Sequence, residues 1–244
     1  MNKIFALFLG MALVFTYTAE NLIAGKPGSK EPLTVRKSPD FKITGNGSSP
    51  EWVKSEWNPL IKLDAGGAED KTRFKILYSA RGIYLLFEGD DQRITTKYDK
   101  DFDNLFNGDV FEVFFHPDPT FPLYLEYEVN QLDKELVLII PNIKGRAQGW
   151  TPWHYEDGNR VIKKVIINKG RQEPGSLIKS WSAELFFPFR LFSPLSNVPP
   201  VSGTIWNANF YRLDYDTGNM IKWAWTPINT SFHEFEKYKP IIFE

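Results

Sequence analysis

Three glutamates, at positions 112, 126 and 128, stand in two short runs that are otherwise rich in rings. In Asp109–His116 (DVFEVFFH) and Leu123–Asn130 (LYLEYEVN) the residues fall into two interleaved rows. That is the period of an extended strand, whose successive side chains leave on opposite faces. Phe111, Val113 and Phe115 form one row, opposed by Val110, Glu112, Phe114 and His116; Leu125, Tyr127 and Val129 are opposed by Tyr124, Glu126, Glu128 and Asn130. The first row of each strand belongs in a core. The second places carboxylates beside flat rings on an outer sheet face, and this pairing suits a sugar. Rings cover the C–H faces of a pyranose, and carboxylates accept from its hydroxyls. A solvated face whose carboxylates only aid solubility has the same pattern, and alternation leaves both readings open. A glycosidase would need two such carboxylates about 5–9 Å apart across a cleft. An open sheet face excludes little water and offers no apolar pocket to raise a carboxyl pKa, so binding without catalysis is expected.

Other chemistries are thinly supplied. His116, His154 and His233 have neither H-x-x-x-H nor H-E-x-x-H spacing, which argues against a catalytic zinc. The chain has no G-x-S-x-G elbow and no Gly-rich phosphate loop. It has no cysteine, which excludes disulfides, thiolate metal sites and thiol nucleophiles. The run Asp99-Lys100-Asp101-Phe102-Asp103-Asn104 has alternating oxygen donors, and Asp99, Asp101 and Asp103 are candidate ligands for a structural Ca²⁺. Asn104 stands where an EF-hand would need glycine, and a merely solvated acidic loop is the alternative. Asp90-Asp91 is a second acidic turn. Trp150 and Trp153 lie in a Gly- and Pro-flanked loop, where they either plug the core or line a groove, Trp153 being the candidate for the rim.

The elements that must carry these residues are strands. Beyond the two runs above, candidates are Thr72–Ser79, Ile83–Gly89, Glu135–Ile140, Val161–Asn168, Ser180–Phe187, Ile205–Asp214 and Met220–Trp225, with turn residues such as Asn107-Gly108 and Asp157-Gly158 between them. Many closely spaced strands and no helical periodicity predict an all-β fold, a single antiparallel β-sandwich spanning 33–244. Trp181, Trp206 and Trp223 are expected in its core, and Trp52 and Trp57 over a sheet end.

Residues 1–19 read as a secretory signal peptide. Lys3 gives a positive start, and Ile4–Phe15 is an apolar run shorter than the about 20 residues that span a membrane. Residues 20–32 form a Gly- and Pro-containing lead-in. Export without cysteine points to a bacterial periplasm or the exterior, with no membrane span after cleavage. The 244 residues carry 29 Lys+Arg against 30 Asp+Glu, a net charge of −1. That balance gives no pull toward a phosphate backbone, so no nucleic-acid partner is expected.

Taken in order, several strings resemble one family. Gly108-Asp109-Val110-Phe111-Glu112-Val113-Phe114-Phe115 is similar to the D-x-hydrophobic-E-hydrophobic-F strand of family 9 carbohydrate-binding modules and their relatives. Ile83–Phe87, Tyr124–Asn130, Trp181–Phe189, Asn209–Arg212, Trp225–Pro227 and Ser231–His233 resemble further pieces of the pattern, over roughly residues 40–244. The resemblance implies a DOMON-like sandwich, an immunoglobulin-like jelly roll often stiffened by structural calcium. It also implies a sugar clamped between two aromatic side chains, which fall here on Phe106 and Phe232, with Asn229, Glu112 and Glu128 bonding hydroxyls. The sequence departs from the family in having Phe for Trp at both clamp positions and an acid, Glu128, in place of a base. His233, beside Phe232, is a candidate to bond the sugar or to orient Arg212. The expected function is exported, non-catalytic binding of a mono- or oligosaccharide. Alternatives are a haem or redox domain using Met220 with His233 or His154, and a surface module for protein interaction. The pattern specifies neither the sugar nor an oligomeric state.

Overall fold

The structure, a computed structural model, describes residues 31–64, 70–144, 146–153, 156 and 158–244. The signal peptide, nearly all of the lead-in, and His154 lie outside the described residues. Among the described residues fifteen strands follow one another: β1 (Leu33–Lys37), β2 (Asn58–Pro59), β3 (Ile61–Lys62), β4 (Thr72–Tyr78), β5 (Gly82–Asp90), β6 (Val110–His116), β7 (Leu123–Asn130), β8 (Glu135–Ile143), β9 (Arg146–Ala147), β10 (Thr151–Pro152), β11 (Ile162–Asn168), β12 (Ser180–Pro188), β13 (Ile205–Asp214), β14 (Ile221–Ala224) and β15 (Lys239–Phe243). Among the described residues only short 3₁₀ turns interrupt them, and no helix is long and apolar enough to cross a membrane.

The strands form two layers. One runs β10-β8-β7-β6-β13-β15-β1 and the other β1-β4-β5-β12-β11. β1 belongs to both. Its Leu33–Val35 half runs parallel to Ile241–Phe243 of β15, and Arg36–Lys37 run parallel to Leu77–Tyr78 of β4. The fold is therefore all-β and sandwich-like, as the alternation predicts. Alternation does not reveal β1, β15 or the two-residue strands β2, β3, β9 and β10.

The inner rows pack as expected. Phe111 stacks on Phe87 at 4.9 Å and on Trp181 at 3.8 Å between ring centroids. Trp181, Trp206 and Trp223 are all buried. Each such side chain contributes about 1.5–3 kcal/mol by burial, and each ring pair about 0.5–1.5 kcal/mol more. Charge also enters this interior, where Asp91 and Asp214 pair with the fully buried guanidinium of Arg212 in β13. Gly89 makes room for it, since a Cβ there would lie 2.9 Å from Arg212 Nη1 and 3.2 Å from Phe111 Cζ.

The outer face of the second layer is roofed by residues 41–57, tied down by one buried carboxylate. Glu184 Oε2 accepts from the amides of Thr44 (2.6 Å), Gly45 (2.6 Å) and Gly47 (3.3 Å) and from Thr44 Oγ1 (2.9 Å), while Oε1 accepts from Trp52 Nε1 at 2.8 Å. Turning that many donors onto one group requires left-handed backbone, supplied at Gly45 (φ 94°) and Gly47 (φ 68°). Trp52 is buried in this roof and Trp57 half-buried beside it.

The outer face of the first layer corrects the sequence reading. Alternation suggests an open, solvated surface, yet Val110, Glu112, Phe114, His116, Tyr124, Glu126, Glu128 and Asn130 are all buried. The reason is composition. The same face carries Leu136, Leu138, Ile140, Tyr211 and Leu213, and this apolar patch is covered by Tyr98, Phe102, Phe106, Phe232 and Phe235 from two crossing segments.

Candidate functional site

The three glutamates come together by strand register. Glu112 of β6 faces Glu128 of β7 directly, and Phe114 faces Glu126. On the other side Glu112 faces Tyr211 of β13. All three carboxyls are buried, at 5% exposure or less. While ionised, neither oxygen of Glu128 nor Oε2 of Glu126 has a partner of good geometry, although the Phe106 amide lies near Glu128 and a proton on either carboxyl is shared between the two. Burial first, and then the neighbouring carboxylates, push Glu112 and Glu128 well above the usual range. Burial raises Glu126 to about 7. The face is thus a set of acceptors whose ionised forms oppose one another.

The rim is built from the two segments that cover this face. Phe106 sits in the 3₁₀ turn Leu105–Asn107, half-buried, its carbonyl accepting from Tyr215 Oη at 2.8 Å. Phe232, also half-buried, stacks on Tyr211 with centroids 3.9 Å apart and planes 8° from parallel. Its carbonyl accepts from Tyr211 Oη (3.0 Å) and Tyr238 Oη (2.8 Å). The loop that carries it is folded around Glu234, which accepts from the amides of Asn229, Thr230 and Ser231 and from Thr230 Oγ1. Those hydrogen bonds, the Thr230 hydroxyl's first, hold its carboxyl at about 2. Asn229 is exposed at the outside of this loop. His233 Nδ1 lies 2.7 Å from Tyr124 Oη and 3.8 Å from Glu126 Oε2, and burial favours its neutral form.

Phe106, Glu112, Glu128, Phe232 and His233 therefore share one face, with Asn229 on its outer loop. Tyr124 and Tyr211 join them, and their hydrogen bonds to His233 and Phe232 are a role that alternation could not announce. Trp153 lies elsewhere. It packs against the core between the layers, and its indole N–H donates to the Leu191 carbonyl at 2.9 Å. Arg212 is on the inner side of its sheet, bonded to Asp91 (3.1 Å), Asp214 (2.5 Å) and Thr72 (3.0 Å), so His233 does not orient it. Met220, exposed, stands at the turn before β14.

The acidic residues gather differently from the spacing in the sequence. Asp99 and Asp101 are exposed, Asp101 accepting from the Glu135 amide at 3.1 Å, and Asp103 is half-buried. Among the described residues, the carboxylates that converge within 4.8 Å are Asp91, Asp214 and Asp216. Asp109 is close enough to feel the first two. Burial, Asp91 and Asp214 push it to about 9, while Asp91 is itself raised to about 7, chiefly by burial. Arg212 is the guanidinium bonded into this group. The donor set suits a hard divalent cation. Its carboxylates outnumber the one bonded cation, and Gln131, whose amide donates to Asp91 at 2.8 Å, has a buried Oε1 with no partner. The Asp90-Asp91 turn was the visible half of this cluster. Asp214 and Asp216 are more than a hundred residues away in sequence and carry no local signature.

No family model matches the sequence, and no curated protein matches it. Solved structures do. A protein of Bacteroides uniformis, solved as a candidate carbohydrate-binding protein, is similar over 88% of this chain and 99% of its own, with 17% identity and a TM-score of 0.69. The fold is that of family 9 carbohydrate-binding modules. A family 9 module from Caldicellulosiruptor kristjanssonii, solved with cellotriose, matches over 88% of this chain and 94% of its own (TM-score 0.59, 14% identity). Its complex with glucose matches over 86% and 95% (TM-score 0.58, 15% identity). The family 9-like likeness is one of architecture, at identities where side chains at the site are free to differ.

Proposed function

We propose that this chain is a non-catalytic carbohydrate-binding protein whose ligand, a mono- or oligosaccharide, meets the outer face of β6 and β7 past Phe106 and Phe232. The observation that carries this reading is the set of buried carboxylate oxygens of Glu126 and Glu128, without well-aligned donors, beneath half-buried rings. Sugar hydroxyls supply the donors these oxygens lack, and the rings receive the C–H faces. Asn229 and His233 reach the ligand from the rim. The family 9-like fold, with neighbours solved with cellotriose and glucose, supports the ligand class. A structural Ca²⁺ belongs with the reading, held by Asp91, Asp214 and Asp216 rather than by the Asp99–Asp103 run. Export to the periplasm or exterior with removal of residues 1–19 is the matching localisation.

Titration of the folded protein with glucose, cellotriose and a glycan array tests it. Phe232→Ala should lower affinity at least about tenfold, since ring stacking on a sugar resembles the ring-pair contacts worth about 0.5–1.5 kcal/mol plus buried area. Its thermal transition should fall only modestly, through the lost stack on Tyr211. Absence of binding to any sugar overturns the reading.

A further inference from the structure

The outer face of β6, β7 and β8 holds more acceptors than the chain satisfies. Besides both oxygens of Glu128 and Oε2 of Glu126, the Oδ1 atom of Asn142 has no partner of good geometry although the residue is fully buried. Asn142 lies beside the same nest, its amide donating to the His233 carbonyl at 2.6 Å. Buried polar atoms are nearly always paired, so a run of unpaired acceptors on one face asks for donors from outside the chain. Charge narrows the class of donor. Among the described residues, the ion-pair contact to these glutamates is His233 Nδ1, 3.8 Å from Glu126, a ring that burial keeps neutral. Neutral hydroxyls would meet carboxyls that burial and one another keep protonated, whereas a cationic donor can take the place of those protons. A bare metal ion needs carboxylate oxygens that converge, and these do not. Among the described residues, three such oxygens come within 4.8 Å of one another only at Asp91, Asp214 and Asp216.

We propose that the sugar taken by this face bears a free ammonium group, so that the ligand class is an amino sugar, as a monomer or at a chain end. The proposal rests on the carbohydrate reading above and adds the ligand's charge to it. Residues directly opposed on antiparallel strands have Cβ atoms about 4.5–5.5 Å apart. Glu112 and Glu128 are such a pair, and one –NH₃⁺ with three donors can bond both carboxylates and cancel a charge between them. The sugar's hydroxyls then reach Glu126 and Asn142. The rim rings Phe106 and Phe232, the latter by the face turned away from Tyr211, receive the cation and the adjoining C–H groups. A lysine-rich peptide would supply ammonium groups but not the ring hydroxyls.

Calorimetric titration at neutral pH should compare glucosamine and its oligomers with N-acetylglucosamine, its oligomers, glucose and cellotriose, and with spermidine as a non-sugar amine. The free amines should bind at least about tenfold tighter than their N-acetylated and neutral counterparts, the factor one charge-assisted hydrogen bond commands. Added salt should weaken that preference. Glu128→Gln and, separately, Glu126→Gln should each cut the preference several-fold, with circular dichroism confirming that the variants fold. If cellotriose or glucose binds as tightly as the amine, the charge proposal is overturned while the carbohydrate reading stands. If spermidine binds as tightly as glucosamine, the sugar is not what is recognised. If no sugar of either kind binds, the carbohydrate reading falls and the proposal falls with it.

Discussion

Replacing Glu128 by glutamine should make the ligand-free protein more stable at alkaline pH and leave it unchanged in acid. Glu128 is fully buried, faces Glu112 across the strands, and as a carboxylate has no well-aligned hydrogen bond to either oxygen. Two unit charges about 5 Å apart in an effective dielectric of about 20 repel by about 3 kcal/mol. The folded protein relieves this by retaining protons. Burial holds Glu112 and Glu128 well above the usual range and raises Glu126 to about 7. Unfolded, each glutamate titrates near 4.3. Between that value and the folded one the native state binds more protons, so stability is greatest below the unfolded pKa and declines as pH rises through the folded pKa. For Glu126 alone the decline approaches about 4 kcal/mol. His233, Tyr124, Tyr211 and Tyr238 face the same carboxyls; burial keeps the imidazole neutral and the phenols protonated across this window. Glutamine cannot ionise, so Glu128→Gln should recover about 1–3 kcal/mol at about pH 8, a rise in Tm of about 3–10 °C for a domain of this size. At about pH 3.5, below the unfolded pKa, both states carry the proton and the shift should vanish. Differential scanning calorimetry at both pH values reads the difference. A wild-type stability that stays flat from about pH 3.5 to 8, or a variant destabilised equally at both, would refute the reasoning.

Glu184→Gln swaps an acceptor that collects five donors for a group with one carbonyl oxygen, and should cost about 2–4 kcal/mol. Limited proteolysis should then cut first within residues 44–52, and cleavage elsewhere would count against the tie. Calcium at millimolar concentration should raise Tm, by about 2.7 kcal/mol of stability when it exceeds its Kd a hundredfold. A chelator should reverse the gain and Asp216→Asn should abolish it; an unchanged Tm in the wild type removes the site. Gly89→Ala should destabilise by about 1–3 kcal/mol, because its methyl meets Arg212 Nη1 at 2.9 Å. Chemical denaturation measures it, and a neutral effect would mean that the guanidinium can shift.

The parts of the fold that were legible in the sequence are those set by alternation. Phe111, Val113 and Phe115 against Glu112, Phe114 and His116 assign faces correctly, because a strand's side chains have no other choice. Alternation does not say what lies over a face. The row bearing Glu112 and Glu128 reads as solvated until the segments holding Phe106 and Phe232 are laid across it. β1 and β15 escaped for a related reason, since each is five residues long and draws its sense from a partner about two hundred residues away. At the site, motif order brought Phe106, Glu112, Glu128, Phe232 and His233 to one face. Trp153 belongs to the core between the layers, and a tryptophan in a loop carries no local sign of which way it turns. The acidic cluster was half visible at Asp91. Its other members sit at the end of β13 and in the turn that follows, where only tertiary structure pairs them with it.

The division of β1 between two sheets has a consequence for how the molecule is made. Val35 and its neighbours gain their first-layer partner only when Lys239–Phe243 is in place, and the Ile205–Ala208 half of β13 is closed there as well, the other half pairing with β14. Contacts of such sequence separation close slowly, because the loop entropy is spent before they form. Until β15 docks, the edge of β1 and the Ile205–Ala208 stretch of β13 therefore stay open, and unpaired edges invite other chains. Lys239 and Pro240 open β15, where a charge and a missing amide discourage such partners. The strand that seals the sandwich also begins with residues suited to keeping its own edge out of trouble while it waits.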